Sequence, residues 1–292
     1  MSLSENGLAK IFKPDDDKNL GKQRTVYNVE GREGVDFIVK EKQSDEELLI
    51  LRFLSESGIT ERLLAYDDKT LVIEKIKGEL ISDYLRGLIQ NHSKKITITE
   101  NGEPSEAHSR FRIDSVEHNY LPEEILVEDS KIREFYVDYV SKLISMALLG
   151  IHHNDIKSDH IFCENETGKT RFIDFGQSYT VGDNQYQPLD NYVEWGVYNI
   201  AQGFMLLQHL SPSYRQISEN IRSNKSIEKL IKDLYEQFIV LNMDLKSRLI
   251  FISTWIQGGN LSRLLMECSV PPVLVPEISS SIDTLISKIQ AS

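Results

Sequence analysis

Short apolar stretches separated by charged or glycine-containing turns make up the first part of the chain. One helix interrupts them, because Leu48, Leu51 and Leu54 recur along one side of residues 46–57, and Gly58 follows as a C-terminal stop. The other stretches are rich in β-branched and aromatic residues, as strands are, and they cover residues 8–12, 25–29, 37–40 and 71–74. The pattern predicts a small β-rich unit with a single helix.

Beyond this unit the apolar positions recur mainly at helical spacing. A long helix is predicted ahead of Gly150, with apolar positions at Ile132, Tyr136, Tyr139, Leu143 and Met146. Further helices are predicted from Asp190 onwards and over residues 227–241, 245–257 and 278–289. Residues 87–129 are polar and irregular, with candidate strands at 96–99 and 111–113. We interpret this stretch as an insertion and as a candidate substrate or regulatory element.

Two short apolar segments flank a polar stretch in the middle of the chain. Residues 161–163 and 171–173 are apolar and residues 164–170 are polar, which predicts a β-hairpin. Asp155 lies shortly before the first strand and Asp174 directly after the second. The hairpin would therefore bring both carboxylates to the same end, close enough to share a complex of a metal ion with a nucleotide.

The segments 153–155 (His-Asn-Asp) and 174–176 (Asp-Phe-Gly) resemble the catalytic and metal-binding loops of the protein-kinase-like superfamily. The resemblance implies an α+β, two-lobed fold with a small β-rich N-lobe, residues 1–77, and a larger helical C-lobe, residues 78–292, that contains the insertion. It implies ATP and Mg²⁺ as cofactors. In such a site Asp155 orients the acceptor hydroxyl, Asp174 holds magnesium against the phosphates, and His153 steadies the catalytic loop.

The same resemblance assigns nucleotide-binding residues in the N-lobe. Lys40 is the strand lysine that grips the phosphates, and Glu47 is its helical partner, with Glu46 as the alternative. The hinge that binds adenine through backbone groups would include Glu74 and Ile76. The phosphate-covering loop contains a single glycine, Gly21, beside three consecutive aspartates, so it is either a weak phosphate contact or a solvated turn.

Two residues near Asp155 indicate different acceptors. His160 stands where the family usually has an asparagine that binds a second magnesium ion, and magnesium prefers oxygen ligands. His160 would then bind metal in a changed site, bind phosphate, hydrogen-bond the catalytic loop, or leave the role to Asp159. A histidine here resembles the lipopolysaccharide-core kinases, which phosphorylate sugars. Lys157 instead resembles the Ser/Thr protein kinases, where this lysine contacts the transferred phosphate.

The regulatory features of many protein kinases are missing from the sequence. Asn154 replaces the arginine that pairs with a phosphorylated activation loop, and only a short segment separates Gly176 from Asp190. No Ala-Pro-Glu ending is present. These departures resemble atypical branches, namely RIO-like, aminoglycoside-phosphotransferase-like, tRNA-modification-associated and small-molecule kinases. Asp190 would either anchor the catalytic loop or cap the helix that it begins.

Composition narrows the function classes further. The 292 residues include 33 Lys and Arg against 45 Asp and Glu, and the net charge of −12 repels nucleic acid. Cys163 and Cys268 are the only cysteines, which favours a reducing compartment without disulfides. No signal segment and no long apolar run is found, so we expect a cytoplasmic protein without a membrane span. An alternative zinc site would use the three histidines His152, His153 and His160, completed by Asp155 or Asp159, although the spacing matches no tight zinc motif.

The sequence therefore predicts an ATP-dependent phosphotransferase, an atypical Ser/Thr protein-kinase-like enzyme that transfers the γ-phosphate to a hydroxyl. The acceptor would be a protein or a small molecule. One alternative is a small-molecule or lipopolysaccharide-sugar kinase, favoured by His160. Another is a pseudokinase that acts as a nucleotide-binding or partner-binding module. The identity of the acceptor and the oligomeric state stay open.

Overall fold

The structure is a computed structural model. It describes residues 26–29, 36–99, 126, 129–183 and 187–291, with the backbone alone for 26–29 and 91–99. The predicted strands at 8–12 and 111–113 and the loop around Gly21 lie outside the described residues.

The first part of the described chain forms a four-stranded antiparallel sheet in the order β1-β2-β4-β3. Its strands are β1 (Val26–Val29), β2 (Phe37–Glu41), β3 (Leu63–Tyr66) and β4 (Thr70–Glu74). The three strands predicted over this region are confirmed as β1, β2 and β4. The sequence analysis missed β3, whose residues Leu-Leu-Ala-Tyr do not alternate between apolar and polar.

Helix α1 (Asp45–Leu54) connects β2 to β3 and begins with a side-chain cap. The Ser44 hydroxyl accepts a hydrogen bond from the Glu47 N–H at 2.9 Å, and the first turn is acidic, which suits the positive end of the helix dipole. Ile50, Leu51 and Leu54 are fully buried. The predicted helix is confirmed, although it ends three residues earlier than expected, ahead of Gly58 with its positive φ of 79°.

A second sheet, in the order β5-β7-β8, contains the predicted hairpin. Its strands are β5 (Gly78–Leu80), β7 (Ile161–Glu164) and β8 (Thr170–Phe172), all antiparallel. Helix α2 (Ile81–Thr99) follows β5 directly. The predicted strand at 96–99 is wrong, because these residues form the last turn of α2. Its β-branched residues are tolerated in a helix, and neither glycine nor proline interrupts the chain from residue 88 to 99.

The remainder is predominantly helical. Helix α3 (Ser130–Leu148) is capped by Asp129, which accepts hydrogen bonds from the N–H groups of Lys131 and Ile132. A two-stranded ladder joins β6 (Ile151–His152) to β9 (Tyr179–Thr180). The later helices are α4 (Leu189–Leu206), α5 (Ser213–Ser223), α6 (Lys225–Val240), α7 (Leu245–Gln257), α8 (Asn260–Glu267) and α9 (Val275–Ala291). The predicted helices are confirmed, and α5 and α8 are additional.

One short backbone contact joins the two sheets. Thr60 forms a parallel bridge with Phe172, the Phe172 N–H donates to the Ile59 carbonyl at 2.8 Å, and the Arg171 guanidinium donates to the Thr60 carbonyl. This contact fixes the segment between α1 and β3 against the hairpin. The α+β class is confirmed, since helices occur together with small antiparallel sheets. No helix in the described part of the chain is long and apolar enough to cross a membrane.

Candidate active site

The hairpin places the two predicted aspartates at one end, as its pattern indicated. In its register Ile161 lies opposite Phe172 and Cys163 lies opposite Thr170. The Ile173 N–H continues the pairing by donating to the His160 carbonyl at 2.9 Å. His160 and Ile173 are thus held side by side, and the segments containing Asp155 and Asp174 emerge together.

His160 lies between the two carboxylates. Its Nδ1 is 2.9 Å from the Asp155 carbonyl oxygen and 3.3 Å from Asp155 Oδ2, and its Nε2 is 3.5 Å from Asp174 Oδ2. The side chain is 11% exposed, and His160 ends a single 3₁₀ turn, Ser158–His160. Of the roles considered for His160, the hydrogen bond to the catalytic loop is present. The same ring also approaches the carboxylate predicted to hold metal.

Asp174 is held from its other side by a residue that the sequence analysis did not single out. Its backbone is left-handed, with φ 61° and ψ 64°. The Gln43 amide donates from Nε2 to Asp174 Oδ1 at 3.2 Å. A Cβ atom on Gly176 would lie 1.4 Å from Gln43 Oε1, so glycine at this position leaves the space that the amide fills. The carboxylate is therefore positioned between Gln43 and His160.

His153 connects the two motifs beneath the carboxylates. Its Nε2 donates to the Ile173 carbonyl at 2.8 Å, and its Nδ1 accepts from the Asp155 N–H at 3.4 Å. Burial lowers the pKa of His153 to about 4, partly opposed by its bond to Ile173, so the ring is neutral at neutral pH. It also packs on Phe175, with ring centroids 4.6 Å apart. The resemblance predicted that His153 steadies the loop, and these contacts are of the kind that such a role requires.

The loop that contains Asn154 and Asp155, predicted to be catalytic, is anchored by Asn199 on α4. Asn154, with a positive φ of 59°, donates from its backbone N–H to Asn199 Oδ1 at 3.0 Å, and its side chain donates to the Gln177 carbonyl. Asp190 does neither of the things predicted for it. Its carboxylate pairs with Lys232 at 2.7 Å, and α4 begins after Pro188 without a side-chain cap. The anchor comes from the third turn of the helix, where no motif marks it.

Lys157 contacts the predicted catalytic aspartate. Its Nζ lies 2.8 Å from Asp155 Oδ2, and its side chain is about half exposed, at 48 %. Asp155 therefore contacts two nitrogen-bearing side chains, Lys157 and His160. An exposed lysine with a flexible stem can exchange this partner for another anion at little cost.

Lys40 on β2 is held by two buried carboxylates. Its Nζ is 2.9 Å from Glu47 Oε1 and 3.6 Å from Glu61 Oε1. Burial disfavours the charge on Lys40, but the charges of Glu61 and Glu47 outweigh it and raise the pKa of the amine. Burial also raises the pKa of Glu61, although Lys40 opposes this. Glu61 is 2 % exposed and was not predicted, because it lies in a loop without a recognisable motif.

Glu47, rather than the alternative Glu46, is the helical partner of Lys40. Its second oxygen, Oε2, accepts a hydrogen bond from the Gln43 N–H at 2.8 Å. Glu47 thereby holds the residue that precedes the cap of α1 and at the same time fixes Lys40. Glu46 interacts instead with Thr180 and Asp183, and burial raises its pKa.

The predicted hinge residues follow the end of the first sheet. Glu74 ends β4, where its N–H donates to the Arg62 carbonyl at 2.9 Å and its carboxylate lies 3.3 Å from the Arg62 guanidinium. Ile76 lies between β4 and β5, in the segment that connects the two sheets. The described contacts of Glu74 are thus with Arg62 and not with the two aspartates.

The three-histidine zinc hypothesis is wrong. His152 is packed among Tyr179, Tyr192 and Tyr235, with centroid distances of 5.0, 6.4 and 5.5 Å. Burial lowers its pKa to about 3. Within the described ranges no group of three or more His, Cys, Asp or Glu residues is arranged to hold a metal ion. The donor chemistry of His160 and Asp174 still fits two ligands of an ion whose other ligands come from phosphate oxygens and water.

The comparisons with known proteins identify no family. No protein-family model matches the sequence, and no curated protein does. Among solved structures, the chain is similar to the Cydia pomonella Granulovirus kinase, PK-1, with a TM-score of 0.41 and 14% sequence identity. The match covers 77% of this chain and 87% of that one.

Proposed function

We propose that the chain is an ATP-dependent phosphotransferase of the protein-kinase-like type, which transfers the γ-phosphate of ATP to a hydroxyl group. The observation that supports this best is one connected set of polar contacts between the two predicted halves of the site. Its members, in order of contact, are Lys40, Glu47, Gln43, Asp174, His160 and Asp155. It joins the groups that phosphoryl transfer needs, namely a phosphate-binding cation, a metal-binding carboxylate and a proton-accepting carboxylate.

In this proposal residues 1–77 form the N-lobe and residues 78–292 the C-lobe, with the nucleotide bound between them. Lys40, fixed by Glu47, contacts the phosphates, and the backbone around Glu74 and Ile76 contacts adenine. The sequence alone leaves the loop around Gly21 as either a weak phosphate contact or a solvated turn. Asp174 and His160 hold the divalent cation. Magnesium, when bound, offsets the negative charge of the phosphates and of the transition state.

Asp155 orients the acceptor hydroxyl and receives its proton as the new oxygen–phosphorus bond forms. The bond between the γ-phosphorus and the bridging oxygen breaks in the same transfer, and ADP leaves. Lys157 leaves Asp155 for the transferring phosphoryl group and offsets its charge, which its exposure permits. His153 keeps the loop in register with Ile173 and does not titrate near neutral pH. Catalysis would come mainly from placement and electrostatics.

The internal anchoring of the catalytic loop favours an unregulated, atypical enzyme. Asn154 is held by Asn199 and by the Gln177 carbonyl. The loop is therefore ordered without an arginine that pairs with a phosphorylated activation loop. Activity should therefore not require phosphorylation of the segment after Gly176. A protein Ser or Thr is the proposed acceptor because of Lys157, and a sugar or other small molecule is the second candidate because of His160.

The test uses the full chain with γ-labelled ATP, Mg²⁺ or Mn²⁺, and separate panels of protein, sugar and lipid acceptors. Label transfer or ATP hydrolysis is expected, and it should be lost in Asp155→Ala and Asp174→Ala. Asp283→Ala, an exposed aspartate on α9, is the matched control and should retain activity. Equal, background-level turnover in the native protein and both active-site variants, with nucleotide binding intact, would instead establish the pseudokinase.

A further inference from the structure

The two ring nitrogens of His160 have different surroundings. Nδ1 faces two oxygens of Asp155, the carbonyl at 2.9 Å and Oδ2 at 3.3 Å, so this nitrogen carries the proton. Nε2 points towards Asp174 and lies 3.5 Å from its Oδ2. In the neutral ring the lone pair of Nε2 is therefore directed at a region that it shares with a carboxylate oxygen.

The separation of these two atoms suits a shared metal ion. Nitrogen and oxygen ligands lie about 2.1 Å from a divalent transition metal, so two ligands at tetrahedral or octahedral angles are about 3.0 to 3.5 Å apart. The observed distance of 3.5 Å is close to the tetrahedral value, and an octahedral ion would draw the two atoms slightly closer together. In the neutral ring two electron-rich atoms, Nε2 of His160 and Oδ2 of Asp174, face each other, and a cation between them would bind both.

Both ligands are also oriented in the way that metal ligands usually are. A metal-binding imidazole generally donates its other N–H to a backbone carbonyl or carboxylate, and His160 Nδ1 has both acceptors in Asp155. The Asp174 carboxylate is held through Oδ1 by Gln43 at 3.2 Å, which leaves Oδ2 on the side of His160. These second contacts are independent of the distance between the ligands, and they point to the same ion.

We propose that this site selects manganese over magnesium. Magnesium takes oxygen ligands almost exclusively, in a strict octahedron, whereas imidazole suits softer divalent ions. Manganese is a transition ion that also suits carboxylate and water oxygens, so the comparison with magnesium turns on the imidazole nitrogen. The inference rests on the proposed function for the phosphate ligands, and it changes the expected cofactor from Mg²⁺ to Mn²⁺.

Pulsed electron paramagnetic resonance of Mn²⁺ bound to the full chain tests the ligand directly. With a non-hydrolysable ATP analogue present, a nitrogen-14 coupling from a histidine is expected. Growth on nitrogen-15 histidine should convert it to the nitrogen-15 pattern without any substitution in the protein. A manganese spectrum without histidine nitrogen coupling would overturn the proposal.

Substitution of His160 by asparagine tests the selectivity. Calorimetric titrations with Mn²⁺ and Mg²⁺ should show that His160→Asn lowers the manganese-to-magnesium affinity ratio by about tenfold or more, the scale on which even partners of metal ligands act. His209 is an exposed histidine that follows α4, and His209→Asn should leave the ratio unchanged. An unchanged ratio in a folded His160→Asn protein would also overturn the proposal.

These measurements separate the metal proposal from the proposed function, because neither requires turnover. Nitrogen coupling and manganese preference without label transfer would uphold the metal site and refute the transferase. Label transfer with equal use of both ions, and no nitrogen coupling, would refute the metal site alone.

Discussion

Gln43 donates a hydrogen bond to Asp174 across 131 residues of sequence, at 3.2 Å. Gln43 directly precedes the cap of α1, and its backbone N–H also binds Glu47, the partner of Lys40. One residue therefore connects the lysine that is proposed to bind phosphate with the aspartate that is proposed to bind metal. We infer that Gln43 is a positioning residue for both.

Gln43→Ala should weaken binding of the metal–nucleotide complex by about tenfold, because a hydrogen bond to a charged group is lost and Asp174 gains freedom to rotate. Calorimetry with the metal and an ATP analogue measures this. Gln216→Ala removes a comparable hydrogen bond, from the Gln216 side-chain amide to Asn220 on the exposed surface of α5. This change should have no effect on binding. Equal affinities for the native protein and Gln43→Ala would show that Asp174 needs no such support.

Gly176→Ala should act through the same contact. The new methyl group would overlap the end of the Gln43 side chain, which is flexible and can move away, so the protein should fold while losing the bond to Asp174. A double-mutant cycle with Gln43→Ala should therefore be strongly non-additive in nucleotide affinity. Gly87→Ala in α2, where a Cβ meets nothing within 4 Å, should only stabilise the helix, by up to about 1 kcal/mol. Additive losses in the cycle would contradict the shared mechanism.

Neutralising Glu61 should lower the pKa of Lys40. The charges of Glu61 and Glu47 together keep the amine protonated against the cost of burial, so Glu61→Gln removes one of the two supports. The pH dependence of acylation at Lys40, followed by mass spectrometry, should shift to lower pH. Asp233→Asn on the exposed side of α6 serves as the control. An unchanged pKa of Lys40 in Glu61→Gln would show that the charge of Glu61 does not support the protonated amine.

Stability should fall with decreasing pH because of His152. Burial lowers the pKa of His152 to about 3 from an unfolded value of 6.5. Between these two pH values the unfolded chain binds a proton at His152 and the folded chain does not. This contribution amounts to about 1.4 kcal/mol per pH unit, and it accumulates as pH falls from 6.5 towards 3. Urea unfolding at several pH values should show a shallower decline for His152→Phe, which keeps an aromatic ring among the tyrosines. Parallel curves for the two proteins would refute the assignment.

The two aspartates should separate binding from chemistry. Asp174→Asn should weaken metal-dependent nucleotide binding strongly, whereas Asp155→Asn should leave most of the binding and lose turnover, because Asp174 is a proposed metal ligand and Asp155 is not. Calorimetry and label transfer on the same preparations measure both quantities. Similar losses of binding in the two variants would contradict this division of roles.

Sequence patterns predicted the parts of the site that depend on local order. The hairpin followed from the order of apolar and polar segments, and Glu47 followed from the resemblance of residues 51–54 and 58–59 to the helix of aminoglycoside-phosphotransferase-like kinases. Gln43, Glu61 and Asn199 could not be predicted, since each acts through a tertiary contact and none belongs to a motif. Asp190 was misassigned for the opposite reason, because its position at a helix start suggested a local role, whereas its carboxylate pairs with Lys232 on α6.

The bridge between Thr60 and Phe172 makes the arrangement of the candidate site tolerant of side-chain substitution. The spacing between the lysine side and the aspartate side is set there by main-chain atoms, the Phe172 N–H and the Ile59 carbonyl. Most exchanges of side chain at these positions leave such atoms in place, and only proline at 172 would delete the donor. Substitutions around this bridge could thus accumulate while the arrangement of the candidate site is kept.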